Sequence, residues 1–137
     1  MQYFSMFTGV GGFELGIEQA YENLSKKERI QQGRITRNSP TFKQSFISTE
    51  QPTCIGFSEI DKYCNQLLAQ KYPKVKNYGN AKTIIPNELP DFDLLVGGFP
   101  CQSFSIAGKR KGFDDTRGTL FFDIARILAY KKPQYLV

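Results

Sequence analysis

The chain has 137 residues, 18 Lys+Arg against 13 Asp+Glu and a formal net charge of +5, a length that suits one domain rather than two. With 40% hydrophobic and 23% charged residues it can bury a core and is not compositionally disordered, and it has no run of about 18 apolar residues to cross a membrane. Histidine is absent, which excludes Ser-His-Asp chemistry, Cys–His nucleophile pairs within these residues and any His-based metal site.

Residues Gln2 to Phe7 are short, aromatic and apolar, and predict a buried strand closed by Thr8 and Gly9. After Gly9, Gly11 and Gly12, the apolar positions Phe13, Ile17, Ala20, Tyr21 and Leu24 recur at helical spacing. The stretch 22–52 changes character. It is rich in Lys, Arg, Ser, Thr, Gln and Asn, its apolar residues are sparse and aperiodic, and it reads as a surface insertion. A second strand is expected over Thr53 to Phe57. A helix follows, with Ile60, Cys64, Leu67 and Leu68 as its apolar stripe and Pro73 as its stop.

Asn77 to Asn80 reads as a turn. Phe92 to Val96 is nearly continuous in apolar residues, as expected for a strand covered on both faces. Gly97 and Gly98 break it and lead into Phe99, Pro100 and Cys101. Residues 102–117 form a loop with four cations, Lys109, Arg110, Lys111 and Arg117. Phe121, Ile124, Ala125 and Leu128 then predict an amphipathic helix ended by Lys131, Lys132 and Pro133, and Gln134 to Val137 begins a fourth strand.

This alternation predicts an α/β fold with a parallel, Rossmann-like sheet, of which these residues carry the first strands and helices. In such sheets ligands bind beyond the carboxyl ends of the strands. Three segments meet there: the glycine turn at 9–12, the Ser58–Glu59 corner, and Gly97 to Cys101.

Each has two readings. The glycine turn either lets backbone approach a ligand or is only a tight strand–helix connection. It is not the full G-x-G-x-x-G, because position 14 is Glu. Glu59 is either an exposed acid at a strand end or an acceptor for ribose hydroxyls. In nucleotide-binding units that acceptor stands about 20 residues beyond the glycines. Here the separation from Gly9 is 50 positions, or 19 once the 31 residues of 22–52 are set aside.

The three cysteines, at 54, 64 and 101, form no C-x-x-C pair and their number is odd. Neither a zinc knuckle nor a disulfide framework is indicated, and no metal site is expected. Cys54 and Cys64 fall in strand and helix patterns and read as core. Cys101 follows a glycine break at the mouth of the sheet with cations downstream, surroundings that favour a reactive thiolate. With no signal-like N-terminus, a reducing cytoplasmic setting of prokaryotic or phage type is expected.

Taken together, the segments Phe7 to Phe13, Ser58 to Tyr63 and Gly98 to Ser105 resemble sequence blocks of the DNA cytosine-5 methyltransferases. The run Gly108 to Asp123 continues the match, and the resemblance covers nearly the whole chain except 22–52. It implies a domain that takes a methyl group from S-adenosylmethionine and places it on C5 of a cytosine extruded from double-stranded DNA. By the same resemblance Cys101 is the nucleophile that attacks C6 of the base. Phe7 stacks on the cofactor's adenine, and Gly9 and Gly11 approach its amino-acid portion. Glu59 takes the ribose hydroxyls, while Pro100 and Leu120 line the methyl-donor pocket. Gln102, Ser105, Lys109 and Arg117 fall in a loop that closes over DNA, where the cations are phosphate contacts that position the duplex without reading it.

Three positions depart from the family pattern. Ser5 replaces a common acid, Ile60 replaces a bulky aromatic after the ribose-binding Glu, and Asn80 replaces an Asp that reads the adenine amino group. An amide oxygen still accepts that bond, so Ile60 and Asn80 are kept as cofactor contacts. The family's later blocks, including the Glu that holds the cytosine and the recognition domain, are not among these residues. The expectation is therefore a chain that does not catalyse alone because these blocks are missing from it. The alternative is a non-catalytic remnant, or one half of a split methyltransferase, that binds cofactor or a second chain carrying the missing blocks. A nicotinamide or flavin oxidoreductase, suggested by the turn and Glu59 alone, leaves Pro100, Cys101 and Gln102 without a role.

Overall fold

A computed structural model describes residues 1–34, 51–99 and 120–137, with the backbone alone for 28–34. Strands β1 (Gln2–Met6), β2 (Thr53–Ser58), β3 (Leu94–Gly97) and β4 (Tyr135–Leu136) form a sheet in the order β2-β1-β3-β4. Every pairing in it is parallel. Helix α1 (Gly12–Arg34) follows β1, α2 (Lys62–Lys71) follows β2, and α3 (Leu120–Lys131) precedes β4. The expected α/β class and parallel sheet are what the chain adopts.

The two-residue alternation of a strand sorts side chains onto two faces. Phe4 and Met6 of β1 and Leu95 of β3 join one core cluster with Ile84, Leu89 and Phe92, and Ile124 and Ile127 of α3 close it. Tyr3, Leu94 and Val96 form the other cluster, against Phe13 and Ile17 of α1. Residues three and four apart on a helix share a face, so each helix meets the sheet along one stripe. Helices thus cover both faces, as in a doubly wound sheet. The central strand, β1, has a partner on each side, so the carboxyl ends of β1, β2 and β3 open on one shared crevice.

Gly56 makes the β1–β2 edge possible. The register shifts between Tyr3 and Phe4, and Phe4 then pairs with Gly56. A Cβ at Gly56 would stand 2.7 Å from the Tyr78 ring and 3.0 Å from the Phe4 ring, closer than packed atoms tolerate. Its absence lets Tyr78 meet Phe4 edge-on at 5.5 Å, while Phe92 stacks on the same ring at 5.6 Å.

Three sequence expectations need correction. The first helix does not stop near Leu24 but runs to Arg34, so the start of the expected insertion at 22–52 is helical. Its Glu, Lys, Arg and Gln residues are strong helix formers, and Lys26 reaches Glu22 at 3.8 Å. Apolar periodicity missed it because Glu22, Asn23, Leu24, Lys26 and Lys27 are exposed. Second, Ile60 is not part of α2. Asp61 caps that helix, its Oδ1 accepting the Tyr63 and Cys64 N–H groups at 2.9 Å each. These bonds hold the Asp61 carboxyl below the usual carboxylate range. Third, Cys64 is half-buried rather than core, whereas Cys54, also half-buried, does pack against the Tyr3, Leu94 and Val96 cluster, where burial pushes its thiol up to about 11. Residues 35–50 of the expected insertion lie outside the described residues.

Candidate functional site

The site begins where β1 ends. Phe7 takes a positive φ of 56°, which for a residue with a Cβ costs roughly 1–2 kcal/mol. Gly9 and Gly11 follow at φ 60° and 84°, where glycine carries no such penalty. The turn closes through Gly11 N–H donating to the Thr8 carbonyl at 3.1 Å. Thr8 is tied back to the strand, its hydroxyl donating to Ser5 Oγ at 3.1 Å.

Glu59, at the end of β2, holds this turn. Its Oε2 accepts the Gly9 N–H at 2.7 Å. Its Oε1 accepts the N–H groups of Ile60 at 2.8 Å and Asp61 at 2.7 Å. A carboxylate offers about four lone-pair directions, so capacity for a further donor remains on Oε2. Next to Glu59 in the chain, Ser58 Oγ donates to the Gly79 carbonyl at 2.7 Å. Asn80 caps a short 3-10 turn (Ala81–Thr83), its Oδ1 accepting the Lys82 N–H at 3.0 Å. Arg126 of α3 donates to the Ala81 and Ile84 carbonyls and pairs with Asp123 at 3.3 Å, which fixes that turn against α3.

Between these elements lies an open cavity of about 230 Å³ lined by Phe7, Ser58, Glu59, Ile60, Gly79, Asn80, Ala81, Gly98 and Leu120. Five of the cofactor residues expected from sequence, Phe7, Glu59, Ile60, Asn80 and Leu120, therefore share one cavity. Gly9 is attached to it through Glu59. Gly11 is buried beneath, where a Cβ would stand 3.4 Å from Leu68 and 3.5 Å from Tyr72. Pro100, Cys101, Gln102, Ser105, Lys109 and Arg117 lie outside the described residues. Sequence reasoning missed Ser58, Gly79, Ala81 and Gly98. Ser58 and Gly98 stood inside the segments singled out at the strand ends, whereas Ala81 carried no signal of its own.

The cavity lining is apolar at Phe7, Ile60, Ala81 and Leu120 and polar at Ser58, Glu59 and Asn80. An aromatic face, an acceptor-only carboxylate and a carboxamide suit a flat heterocycle joined to a diol. They suit a polyphosphate badly, since a carboxylate repels one. No cluster of metal-ligand type occurs among the described residues, and none of their helices is long and apolar enough to cross a membrane.

Glu14, in the first turn of α1, is fully buried, and neither carboxyl oxygen has a hydrogen-bond partner among the described residues. Burial raises its carboxyl above the usual range, with the neighbouring Ser5 and Thr8 hydroxyls acting the other way. It lies under the turn, 3.8 Å from where a Gly11 Cβ would be.

Comparison with known proteins fits this geometry. The chain is 42% identical over 134 residues to the type II methyltransferase M.NgoBV of Neisseria gonorrhoeae, covering 98% of this chain and 26% of that protein. It is 53% identical over 139 residues to the orphan methyltransferase M.Rho11sI of Bacillus phage rho11s, covering 100% of this chain and 22% of that protein. The chain thus spans about a quarter of the length of these relatives. A solved Dnmt2 methyltransferase of S. pombe shares the fold, with a TM-score of 0.52 and 17% identity, over 95% of this chain and 32% of that one. The profile of C-5 cytosine-specific DNA methylases matches residues 1–137 without remainder, and the chain belongs to that family.

Proposed function

We propose that these residues are the cofactor-binding front part of a DNA cytosine-5 methyltransferase, with S-adenosylmethionine in the cavity and Cys101 as nucleophile. The observation that carries the reading is the cavity itself, whose one carboxylate among the described residues, Glu59, joins the glycine turn of β1 to the end of β2. S-adenosylmethionine, when bound, supplies a methyl group on a positively charged sulfur. Phe7 and Ile60 give its adenine apolar surfaces, Glu59 accepts from its ribose hydroxyls, Asn80 faces the base edge, and Pro100 and Leu120 bound the methyl side.

Cys101 stands three residues beyond Gly98, which lines the cavity. Its thiolate adds to C6 of an extruded cytosine. Electron density then rises at C5, the carbon that is methylated, and loss of the C5 proton expels the thiolate. Lys109 and Arg117, with Gln102 and Ser105, contact double-stranded DNA, the cations through its phosphates. The base-holding and sequence-reading parts come from protein outside these residues, on the same chain or on a second chain paired along β4. Tyr135 and Leu136 are exposed at that strand.

The test uses the full-length protein. Calorimetry with S-adenosylmethionine should show binding that Glu59→Ala removes. DNA carrying 5-fluorocytosine, which has no C5 proton to lose, should trap a covalent complex that Cys101→Ser does not form. A trapped complex in the Cys101→Ser variant would assign the nucleophile elsewhere.

A further inference from the structure

Asn77 sits in a turn that carries no recognised motif, yet every hydrogen-bonding position of its carboxamide is used. Its Oδ1 accepts the Glu59 N–H at 3.2 Å and the Gly79 N–H at 2.9 Å. Its Nδ2 donates to the Glu59 carbonyl at 3.0 Å and to Asn65 Oδ1 on α2 at 2.8 Å. A carboxamide offers two donors and two lone pairs, so the set is complete and the orientation of the amide is determined by its partners.

The main chain adds to this grip. Phe57 N–H donates to the Lys76 carbonyl at 3.1 Å and the Tyr78 N–H donates to the Phe57 carbonyl at 2.8 Å. This is an isolated parallel bridge between Phe57 and Asn77. One side chain therefore holds the Glu59 peptide from both its N–H and its carbonyl. The same side chain holds Gly79, which also lines the cavity. The Glu59 backbone cannot rotate without breaking two of these bonds, and its carboxylate is aimed by that backbone.

We infer that Asn77 is a positioning residue for the ribose-binding carboxylate: it sets the direction of Glu59 and the separation between Glu59 and the Gly79–Asn80 wall. This rests on the function proposed above. Asn77→Asp is the informative change. It keeps size and acceptors, removes both donors, and turns a carboxylate oxygen toward the Glu59 carbonyl and Asn65 Oδ1, which then lack a donor.

The test is calorimetry on the full-length protein with two probes, S-adenosylhomocysteine and its 2′-deoxyribose analogue, on variants whose folding is verified by circular dichroism. Wild type should prefer the intact ribose by about tenfold or more, the worth of one hydrogen bond to a charged group. In Asn77→Asp the affinity for S-adenosylhomocysteine should fall by about tenfold. The analogue should lose less, so the preference collapses, which general loosening would not produce. The double variant Glu59→Gln/Asn77→Asp should be no weaker than Glu59→Gln alone, because the two act as one unit. Asn65→Ala, which removes one partner of Asn77, should weaken binding by a few fold with the same loss of preference and serves if Asn77→Asp does not fold. An unchanged preference, or additive losses in the double variant, overturns the inference and leaves the function standing. Absence of wild-type binding overturns both.

Discussion

Glu59 Oε2 accepts the Gly9 N–H at 2.7 Å across fifty positions of sequence. The same carboxylate accepts two further backbone N–H groups from the corner it begins. It therefore ties two strand ends together besides facing the cavity. Glu59→Gln keeps one acceptor but sets an NH₂ against a row of N–H donors. A hydrogen bond to a charged group is worth about 1.5–3 kcal/mol, so affinity for S-adenosylhomocysteine should fall by about ten- to a hundredfold. Stability should fall as well. Full affinity in the variant, measured by calorimetry, would mean that the carboxylate is purely structural.

Glu14 predicts a pH dependence. Its carboxyl is raised above its ordinary value of 4.5, first by burial. Tyr3, Cys54 and Tyr72 feel its charge as well, and burial with neighbouring acids pushes Tyr72 up to about 12. The folded protein holds the Glu14 proton more tightly than the unfolded one. Its contribution to stability is fully present below 4.5 and is lost as pH rises through the folded value. Glu14→Gln removes this slope. The melting temperature of the variant relative to wild type should therefore climb between pH 4.5 and 8. A constant difference across that range would show that Glu14 finds a partner in solution.

The fold was legible because strand and helix periods were clean where both faces are covered. Phe4, Met6 and Leu95 go to one core cluster and Tyr3, Leu94 and Val96 to the other, so all six are buried and both strands read as apolar runs. The cavity was legible in part because its lining residues stand in short segments at strand ends. What escaped notice had no periodic signal. The extension of α1 to Arg34 rests on helix propensity and surface pairing, which an apolar stripe does not report. Asn77 escaped for another reason: its partners Glu59, Asn65 and Gly79 come together only when the turn docks on β2. The solitary burial of Glu14 likewise depends on how α1 enters under the turn, since a first-turn acid ordinarily faces solvent at the positive end of the helix.

Two glycines separate conformation from space. Neither Gly9 nor Gly16 has a neighbour within 4 Å of an added Cβ, but Gly9 has φ of 60° and Gly16 lies inside α1. Gly9→Ala should cost about 1–2 kcal/mol from backbone strain alone. Gly16→Ala should gain about 1 kcal/mol from helix propensity. Denaturant unfolding measures both, and equal effects at the two positions would contradict the positive φ at the turn.

Arg126 links the cavity wall to the core. Its guanidinium donates to the Ala81 carbonyl at 2.9 Å and to the Ile84 carbonyl, both buried, and pairs with Asp123. Arg126→Met keeps the apolar stem and removes the donors, leaving two buried carbonyls unsatisfied. The expected loss is about 1–3 kcal/mol in denaturant unfolding. Because Ala81 lines the cavity and Asn80 precedes it, affinity for S-adenosylhomocysteine should also drop severalfold. Destabilisation without any change in affinity would show that the 3-10 turn holds its place through Ile84 and Leu89 packing alone.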